Sequence, residues 1–441
     1  MIKMQSSKKD FIKVLKSFKL IDQLIHEELL IQTIFRENIT IYCGFDPTSD
    51  SLHVGHLVPL LLLRIFRNMG HRIIVLVGGA TCLIGDPSFK DFYRTVNTAS
   101  QIEDWTNELQ KQIEKFLNFH YEKNDLIIVN NLTWLKDMKV MDFFDKIGKH
   151  FNVNSMIQRE LVKNKIKNHV RRISFSEFSY GLLQAYDFYK LHLDYHVSLQ
   201  IGGSDQWKNI IFGIELIRKL CNKKTFGLTF PLITNSNGKK FGKSKKNNIW
   251  LDPKKTSPYH FYQFWINIDD ENARIFFYFL LISMYDVQSV DHMSKKYAEI
   301  INEKNKSSRS KIIQYFLADK ITEMIHGGDN AKTAKEVSKK IFFYKDILRF
   351  KEQDFQKILK IGVQSVRLDS RREHDIREIL VMSRISKSKK QAKDMISTNS
   401  ISINCNPHRN RDYSISKEDA IFQRYSLIKK GKKEVLLVVW K

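Results

Sequence analysis

Residues 42–56 read YCGFDPTSDSLHVGH and join a strand to a long helix. Upstream, ITIYCGF has the β-branched and aromatic content of a strand, and downstream HVGHLVPLLLLRIFRNMG has helical spacing and ends at Gly70. Asp46 and Thr48 suit a turn before a helix, and Gly55 leaves the backbone open to a flat ligand. Backbone N–H groups and the positive end of the helix dipole meet at such a junction, so the stretch predicts an anion site.

The two histidines of this stretch, His53 and His56, have three candidate roles. As phosphate ligands they would donate hydrogen bonds to phosphate oxygens without a metal. As zinc ligands they would need a third protein ligand and a nearby general base, as in HExxH, and neither is adjacent. As helix-start residues they would only cap. We favour phosphate binding. Because an HxGH tetrapeptide recurs by chance, this assignment depends on further motifs in the chain.

The first half of the chain alternates short β-branched runs with helical segments. The strand-like runs include HRIIVLVGGA, DLIIVNN and HVSLQIGG, and the helical segments include SQIEDWTNELQKQIEKFLNF and SDQWKNIIFGIELIRKL. This order is typical of βαβ units, so we predict an α/β fold with a Rossmann-like parallel sheet covered on both faces. Ligands of such sheets bind beyond the carboxyl ends of the strands.

The pattern changes from about residue 250 to consecutive helices such as SPYHFYQFWIN and NARIFFYFLLIS. The tail from residue 371 carries 17 Lys and Arg against 8 Asp and Glu, which indicates a separate basic module. The predicted organisation is a Rossmann-like domain over 1–235, a loop and an all-helical domain over 236–335, a less regular linker over 336–370, and the basic module over 371–441.

The whole chain is strongly basic. It has 73 Lys and Arg against 48 Asp and Glu, a formal net charge of +25. Such a field attracts polyanions over roughly 8–10 Å and more weakly beyond, so nucleic acid is the leading class of partner. Codon usage that favours lysine and asparagine is the alternative source of part of this excess.

The sequence predicts a cytoplasmic protein. Its four cysteines lie far apart and form no CxxC pair, which argues against a structural zinc site and a secreted disulfide framework. No apolar run approaches the roughly 20 residues that span a bilayer. The apolar residues between Phe11 and Phe18 recur at helical spacing, which favours an amphipathic first helix over a transit peptide.

A second basic loop, NGKKFGKSKK at 237–246, offers mobile charge for a phosphoryl group. Lys240, Lys243 and Ser244 lie between or beside two glycines. Alone, such a loop is more typical of a solvated turn. In one chain with HVGH, it favours a second phosphate contact.

Together these motifs resemble those of a known family. HVGH at 53–56 resembles the HIGH signature, and KFGKS at 240–244 the KMSKS signature, of class I aminoacyl-tRNA synthetases. Between them, GGATCLIGDPS (78–88), YGLLQAYDF (180–188) and QIGGSDQW (200–207) resemble the bacterial tyrosyl-tRNA synthetase family. The resemblance runs along almost the whole chain, and this set of motifs in this order is specific for tyrosine.

The resemblance implies a two-step reaction. Tyrosine and ATP give tyrosyl-adenylate and pyrophosphate, and the tyrosyl group then passes to the terminal ribose of tRNA(Tyr). The resemblance also implies Mg²⁺ with the ATP, no structural metal, no editing domain, and a homodimer with its contact around residues 134–160.

The resemblance also assigns roles to individual residues. Those implied in catalysis and phosphate contact are Thr48, His53, His56, Lys90, Arg94, Lys240 and Lys243. Those implied in tyrosine binding are Tyr42 and Asp187 at the phenol, and Asp86, Tyr180 and Gln184 around the ammonium group. Those implied in ATP binding are Gly44, Asp46, Gly55, Gly203, Asp205, Gln206, Lys243 and Ser244.

Part of the tyrosine site also follows from spacing. Tyr180, Gln184 and Asp187 are four and three residues apart, which places them on one face of a helix. A core face is the alternative, but Asp and Gln are poor core residues. The spacing therefore favours a pocket.

The tail SRISKSKKQAKDMISTNSISIN resembles the alpha-L RNA-binding motif appended to bacterial members of the family, which implies a small α+β RNA-binding domain. Lys387, Lys389, Lys390 and Lys393 cluster at the start of its helix, where phosphate contacts would give salt-dependent affinity. A solvated lysine face is the alternative.

Three residues depart from the family pattern. Cys82, Lys208 and Cys405 stand where the family usually has glycine. A side chain fits each position only if φ is negative there. None removes a charged or hydrogen-bonding group from the implied site, so stability and rate are affected more than the type of reaction.

Three rival functions remain. A tryptophanyl enzyme shares both class signatures, although YGLLQAYDF and Tyr42 argue against it. A noncatalytic RNA-binding protein on the same scaffold would lose phosphate-site residues, and these are present. A free-standing nucleotidyltransferase accounts for HxGH but not for the basic tail.

Overall fold

The computed structural model describes residues 11–85, 98–118, 126–157, 174–234, 248–285, 311–344, 347–410, 412–431 and 434–441. The chain divides into two compact units. The first comprises Met1–Asn248 and Asp269–Ser310, and the second Ile249–Ile268 and Lys311–Lys441. Each unit contains its own sheet.

The first unit is built on a six-stranded sheet. Its strands are β1 (Gln23–Ile25), β2 (Thr40–Phe45), β3 (Arg72–Val77), β4 (Leu126–Asn130), β5 (Val197–Gly203) and β6 (Phe226–Phe230). They lie in the order β1-β6-β5-β2-β3-β4, and all neighbours are parallel except the edge strand β1, which is antiparallel to β6. β3 is buried from its second residue onward, as expected for a strand covered on both faces. The predicted α/β fold with a Rossmann-like parallel sheet is confirmed.

Helices alternate with these strands. The described helices of the first unit are 11–17, Glu27–Arg36, Leu57–Asn68, Gly79–Ile84, Ala99–Leu117, Leu132–Leu135, Val140–Lys146, Val153–Ile157, Phe175–Tyr195, Trp207–Cys221 and Asp270–Met284. Over the described ranges of the whole chain, none of the helices has both the length and the apolar content needed to cross a membrane.

The helix that follows the opening stretch, Leu57–Asn68, is buried from Leu57 to Arg67. The buried Arg67 guanidinium donates to the Leu117 carbonyl at 2.8 Å and to Asn118 Oδ1 at 3.1 Å. The last carbonyls of a helix lack partners within it, and a cation near them is favourable. The buried arginine and the end of helix Ala99–Leu117 therefore satisfy each other.

Helix Asp270–Met284 belongs to the first unit, although the sequence predicted it within a separate helical domain over 236–335. It packs against helix Leu57–Asn68, and Asn68 Nδ2 donates to the Ser283 carbonyl at 2.7 Å. Phe18 stacks on Tyr278 with ring centroids 3.9 Å apart. The predicted boundary near residue 235 therefore differs from the division into two compact units. A helix packs where its apolar face finds a matching apolar face, which need not be next to it in sequence.

The predicted first helix is present in its described part, residues 11–17. Phe11 and Leu15 are buried, four residues apart on one face. The ring of Phe11 contacts that of Phe66 edge-on at 5.4 Å. The amphipathic spacing therefore marks a core-facing helix of the first unit.

The second unit combines helices with a small sheet. Its described helices are Pro258–Ile266, Ile312–His326, Gly328–Phe343, Glu352–Lys360, Ile376–Met382 and Lys389–Ser397. Its strands are β7 (Ser365–Leu368), β8 (His374–Asp375), β9 (Ile401–Ile403), β10 (Asn406–Pro407), β11 (Ser414–Ile415), β12 (Tyr425–Lys430) and β13 (Glu434–Trp440). The larger sheet has the order β10-β9-β12-β13-β7, and β8 pairs with β11.

The segment 336–370 is more regular than the predicted linker. It holds the end of helix Gly328–Phe343, the helix Glu352–Lys360 and β7. β7 pairs in parallel with β13, from Ser365 opposite Leu437 to Leu368 opposite Trp440. The sheet of the basic module therefore starts before residue 371. Leu368 of β7 is part of the hydrophobic core of this module.

Cys405 lies in a tight turn whose backbone conformation is unfavourable for any residue with a side chain. Asn404 and Cys405 are the two residues between β9 and β10, with φ of +49° and +69°. Such two-residue turns need positive φ at both positions and prefer Asn-Gly. The expectation of negative φ therefore fails at Cys405, whereas Cys82 and Lys208 lie in helices without positive φ.

Replacing Cys405 with glycine is expected to raise the free energy of unfolding by about 0.5–1 kcal/mol. A left-handed conformation costs an L-residue roughly 1–2 kcal/mol, and the greater freedom of glycine in the unfolded chain offsets part of the gain. Urea unfolding measures the change. Cys82→Gly is the matched control and is expected to destabilise, because it puts glycine in a helix and removes the Sγ donor to the Pro47 carbonyl at 3.2 Å. A lower stability for Cys405→Gly would contradict the strained turn.

Candidate functional site

A cavity of about 220 Å³ lies at the carboxyl ends of the parallel strands. Its walls come from the ends of β2, β3, β5 and β6, from the segments that follow these strands, and from helix Phe175–Tyr195. The strand order reverses at β2 and β5, because β3 and β4 extend the sheet on one side and β6 on the other. In open α/β sheets, ligands bind at such a reversal point.

The two histidines of the opening stretch lie on the cavity wall, stacked with ring centroids 4.0 Å apart. His53 Nδ1 accepts the Gly55 N–H at 3.1 Å, and His56 Nδ1 accepts the His53 N–H at 3.1 Å. Because each Nδ1 is an acceptor, the proton of each neutral ring is on Nε2. The wall therefore carries two Nε2–H donors at the start of helix Leu57–Asn68.

Asp46, directly after β2, connects three parts of the wall. Thr81 Oγ1 donates to its Oδ1 at 3.1 Å, and the Tyr180 hydroxyl donates to its Oδ2 at 3.1 Å. A Cβ at residue 78 would lie 2.1 Å from Asp46 Oδ1 and 2.4 Å from Thr81 Oγ1, so any larger residue than Gly78 would displace this hydrogen-bonded pair. The carboxylate thus holds the end of β2 against two of the helices around the cavity.

Asp187 is buried at the cavity with a relative exposure of 1%. Trp134 Nε1 donates to its Oδ1 at 2.8 Å, and Asn131 Nδ2 donates to its Oδ2 at 3.0 Å. Burial raises the pKa of Asp187 to about 7, although the two hydrogen bonds oppose that shift. The Asn131 amide also donates to Thr81 Oγ1 at 3.1 Å. Asp187 is therefore linked through Asn131 and Thr81 to Asp46.

Two buried polar atoms on this wall have no hydrogen-bond partner among the described residues. They are the Tyr42 hydroxyl and Gln200 Oε1. Burial, followed by the charge of Asp187, raises the pKa of Tyr42 well above its usual value, so the phenol stays protonated. Buried polar groups are almost always hydrogen-bonded. These two atoms therefore indicate where a polar ligand binds.

A buried asparagine orients two glutamines of the wall. Asn209 Nδ2 donates to Gln184 Oε1 at 2.9 Å and to Gln206 Oε1 at 3.1 Å. These two bonds fix the carboxamide oxygens, so the NH₂ group is the hydrogen-bond donor of each glutamine side chain. Gln184 comes from helix Phe175–Tyr195 and Gln206 from the turn after β5.

The histidine geometry favours phosphate over zinc. Within the part of the chain that the structure describes, no group of three or more His, Cys, Asp or Glu is placed to hold a metal ion. His53 and His56 use their Nδ1 atoms on the backbone, and the stacked rings present donors. The cavity thus combines donors suited to an oxyanion with a buried carboxylate and hydroxyl suited to a phenol.

Comparisons with known proteins agree with this chemistry. A family profile described as tRNA synthetases class I (W and Y) matches residues 35–343, and one described as Tyrosine--tRNA ligase SYY-like C-terminal domain matches residues 354–438. The tyrosine--tRNA ligase of Escherichia coli (strain 55989 / EAEC) is 42% identical over 433 residues, which cover 98% of this chain and 99% of that protein. The chain belongs to the tyrosyl-tRNA synthetase family.

Solved structures of related synthetases share the fold. A C-terminally truncated Aspergillus nidulans mitochondrial tyrosyl-tRNA synthetase is 25% identical, with a TM-score of 0.65, over 77% of this chain and 98% of that one. Plasmodium falciparum tryptophanyl-tRNA synthetase is 14% identical, with a TM-score of 0.52, over 81% of this chain and 92% of that one. At that identity the second likeness concerns the fold alone, so the tryptophanyl alternative is not favoured.

The structure brings together the described residues that the tyrosyl-tRNA synthetase resemblance implies for catalysis and for binding tyrosine and ATP. Those that line the one cavity are Tyr42, Gly44, Asp46, Thr48, His53, Gly55, His56, Tyr180, Gln184, Asp187, Gly203, Asp205 and Gln206. Those outside the described residues are Asp86, Lys90, Arg94, Lys240, Lys243 and Ser244. The individual roles of both sets stay predictions.

Sequence reasoning missed several polar residues of this tyrosyl-tRNA synthetase site. They are Thr81, Asn131, Trp134, Gln200 and Asn209. One signal was available for Asn131, which follows β4 directly in DLIIVNN, at the sheet edge where ligands bind. Trp134 and Asn209 read as ordinary helix residues, because their partners are distant in sequence.

The four predicted RNA-binding lysines of the second unit are exposed. Lys387, Lys389, Lys390 and Lys393 lie before and in the helix Lys389–Ser397, whose N-cap Ser388 accepts the Gln391 N–H. Lys389 forms an exposed ion pair with Glu378 at 2.7 Å. Lysines in the first turn of a helix oppose its dipole, so an anion bound there would be favourable.

Proposed function

We propose that this chain activates L-tyrosine with ATP and transfers the tyrosyl group to the terminal ribose of tRNA(Tyr). As a tyrosyl-tRNA synthetase family member, it is an aminoacyl-tRNA synthetase, a ligase that uses ATP as a substrate. The observation that carries the proposal is the single cavity that combines two histidine Nε2–H donors at a helix start with the buried Asp187 and Tyr42. The phosphate groups belong to ATP and the phenol belongs to tyrosine, so the cavity has groups suited to both substrates.

The first step needs no enzyme nucleophile. A carboxylate oxygen of tyrosine attacks the α-phosphorus of ATP, a P–O bond forms, and the P–O bond to pyrophosphate breaks. Catalysis then consists of placement and of stabilising the charge that develops on the leaving phosphates. In the second step a ribose hydroxyl of the tRNA attacks the acyl carbon and AMP leaves.

The phosphate end is assigned to the opening stretch. Thr48, His53 and His56 donate to ATP phosphates, with Gly44 and Gly55 leaving room at the backbone. Gly203, Asp205 and Gln206 hold the adenylate and its ribose. The other residues assigned to phosphate contact lie outside the described residues. Their assignment is supported by the family resemblance and, for the Lys and Arg side chains, by charge. They are Lys90, Arg94, Lys240, Lys243 and Ser244. ATP enters as its Mg²⁺ complex, which neutralises part of the triphosphate charge.

The tyrosine end is assigned to the buried polar groups. The phenol O–H donates to Asp187, and the Tyr42 hydroxyl, which lacks a partner among the described residues, bonds the phenol oxygen. Tyr180 and Gln184, together with Asp86 outside the described residues, surround the ammonium group. Asp46 fixes the Tyr180 hydroxyl by accepting its hydrogen bond.

The remaining assignments concern partners and location. Lys387, Lys389, Lys390 and Lys393 contact tRNA phosphates, and their exposure supports this role. The chain is a homodimer with its contact around residues 134–160, since Val140 and Met141 in that stretch expose 68% and 77% of their surface. It acts in the cytoplasm.

Amino-acid-dependent exchange between ATP and pyrophosphate tests the proposal. With the purified chain, tyrosine is expected to support exchange, and tryptophan and phenylalanine to support little, because only tyrosine presents a hydroxyl to Asp187 and Tyr42. Tryptophan outperforming tyrosine would decide for the tryptophanyl alternative. No exchange with any amino acid would favour a noncatalytic RNA-binding protein.

A further inference from the structure

One hairpin turn of the second unit holds two bulky residues in a strained conformation. Ile421 and Tyr425 exchange backbone hydrogen bonds of 2.7 and 3.0 Å, and the loop between them contains Phe422 and Gln423 with φ of +52° and +51°. Bulky residues rarely adopt positive φ, and each such residue costs of order 1–3 kcal/mol. Strain of this kind clusters at functional sites, which singles out residues 421–425, the Phe422 turn, as a candidate site.

The Phe422 turn displays an aromatic ring on a rigid base. Phe422 is 50% exposed, and the edge of its ring meets Phe355 at a centroid distance of 6.1 Å. Below it, Tyr425 is stacked on Phe355 at 4.8 Å with ring planes 4° apart. The Arg424 guanidinium lies 5.6 Å from the Tyr425 ring centroid. The surface therefore combines an exposed ring with a cation held over a second ring.

The surroundings of the Phe422 turn favour an anionic partner. Phe350, whose ring lies 5.7 Å from that of Phe355, is flanked by the exposed cations Arg349 and Lys351. The exposed Glu352 lies 3.9 Å from Arg424, a separation at which a surface pair is weak. With the exposed Lys417, Glu418 and Asp419 just before the turn, four cations stand against three carboxylates, so the patch around the ring carries a small net positive charge.

We infer that the Phe422 turn is a second RNA contact, on which an unpaired base of the bound tRNA stacks against Phe422 while Arg424 meets an adjacent phosphate. Aromatic rings flanked by cations are the usual platform for unstacked bases. The inference rests on the proposed function, because it takes tRNA as the bound polyanion.

This contact is separate from the lysine group at 387–393. Lys430, at the far end of β12 from the turn, donates to the Ile385 carbonyl at 3.1 Å, next to that lysine group. Five residue steps along β12 separate Lys430 from Tyr425, about 17 Å at roughly 3.3 Å per residue. The tRNA would therefore contact both ends of β12, by phosphate contacts at one end and by stacking at the other.

The test measures the affinity of the full chain for tRNA at several salt concentrations and compares the Phe422→Asn variant with the unchanged chain. Asparagine accepts positive φ, so the turn keeps its geometry without the ring. The dissociation constant is expected to rise about 5- to 150-fold, the range for one stacked base. The slope of affinity against salt concentration is expected to stay unchanged, since stacking releases no counterions, whereas Arg424→Gln is expected to lower it by about one.

Two matched variants separate stacking from a folding effect. Gln423→Gly relieves strain at the neighbouring position and keeps the ring, so it is expected to raise the unfolding midpoint and leave affinity unchanged. Phe422→Tyr keeps a stacking ring and is expected to keep affinity. Unchanged affinity for Phe422→Asn overturns the inference, and so does an equal loss in Gln423→Gly.

Tyrosine-dependent exchange between ATP and pyrophosphate keeps this inference distinct from the proposed function. Exchange needs no tRNA, so Phe422→Asn is expected to match the unchanged chain in that assay. Suppose that the unchanged chain exchanges with tyrosine and that the Phe422→Asn variant binds tRNA as tightly as the unchanged chain. This result would overturn the Phe422 inference and leave the proposed function in place. An unchanged chain that lacks exchange would overturn the proposed function instead.

Discussion

Replacing His53 with alanine is expected to lower the rate of tyrosyl-adenylate formation about 10²- to 10³-fold. That range is typical for removing one donor aimed at charge that develops in the transition state. His53 Nδ1 accepts the Gly55 N–H, so the proton of the neutral ring is on Nε2, the atom proposed to contact a phosphate oxygen. Because the His53 backbone N–H still bonds His56 Nδ1, the second imidazole keeps its orientation in the variant.

Pre-steady-state formation of the adenylate, measured at saturating tyrosine, checks this expectation. His53 also caps the helix start, and losing a cap costs about 0.5–2 kcal/mol of stability. Thr98→Ala is the matched control, because Thr98 caps helix Ala99–Leu117 by accepting the Gln101 N–H and does not line the cavity. It is expected to lose similar stability and keep its rate. Equal rates in the two variants would contradict a phosphate role for His53.

The elements around the cavity that sequence predicted correctly are local in the chain. The junction of β2 with the following helix is a strand run, a turn and a helical run in direct succession, so periodicity was sufficient. The helix face of Tyr180, Gln184 and Asp187 follows from spacings of four and three. Two short strands, β1 and β6, were missed, because QLI and FGLTF are too short for a clear alternation.

What sequence could not predict depends on contacts between distant segments. The bonds of Asn131 and Trp134 to Asp187 join residues 56 and 53 positions apart, and no periodicity encodes them. Helix Asp270–Met284 likewise joins the first unit through a contact with Asn68, 215 positions from Ser283. Such contacts arise from the arrangement of whole elements, which a single sequence does not specify.

Replacing Asp187 with alanine is expected to reduce the preference for tyrosine over phenylalanine by roughly 10- to 150-fold, the value of one hydrogen bond to a charged group. A site built to bond a substrate hydroxyl rejects the analogue without it by about 10⁴ to 10⁵, as tyrosyl-tRNA synthetases in general illustrate. Part of it should survive, because the Tyr42 hydroxyl still bonds the phenol. The ratio of kcat/KM values for the two amino acids in exchange between ATP and pyrophosphate measures the effect.

The same carboxyl predicts how tyrosine binding depends on pH. Burial raises the pKa of Asp187 to about 7, so the group is mostly protonated at pH 6 and mostly ionised at pH 8. The ionised carboxylate is a stronger acceptor for the phenol O–H than the protonated carboxyl group, so KM for tyrosine is expected to fall between pH 6 and 8, by up to about tenfold. Phenylalanine has no hydroxyl, and its KM should lack this fall.

Asp187→Asn completes the experiment, because it keeps the size of the side chain and cannot ionise. Its carboxamide oxygen can still accept from Trp134 or Asn131, though not from both in the present arrangement. The fall in KM for tyrosine with rising pH should therefore disappear in the variant, while thermal unfolding shows that the fold persists. A fall that survives in Asp187→Asn would assign the titration to another group. Unchanged selectivity in Asp187→Ala would contradict the phenol pocket, since the group that bonds the hydroxyl would then lie elsewhere in the cavity.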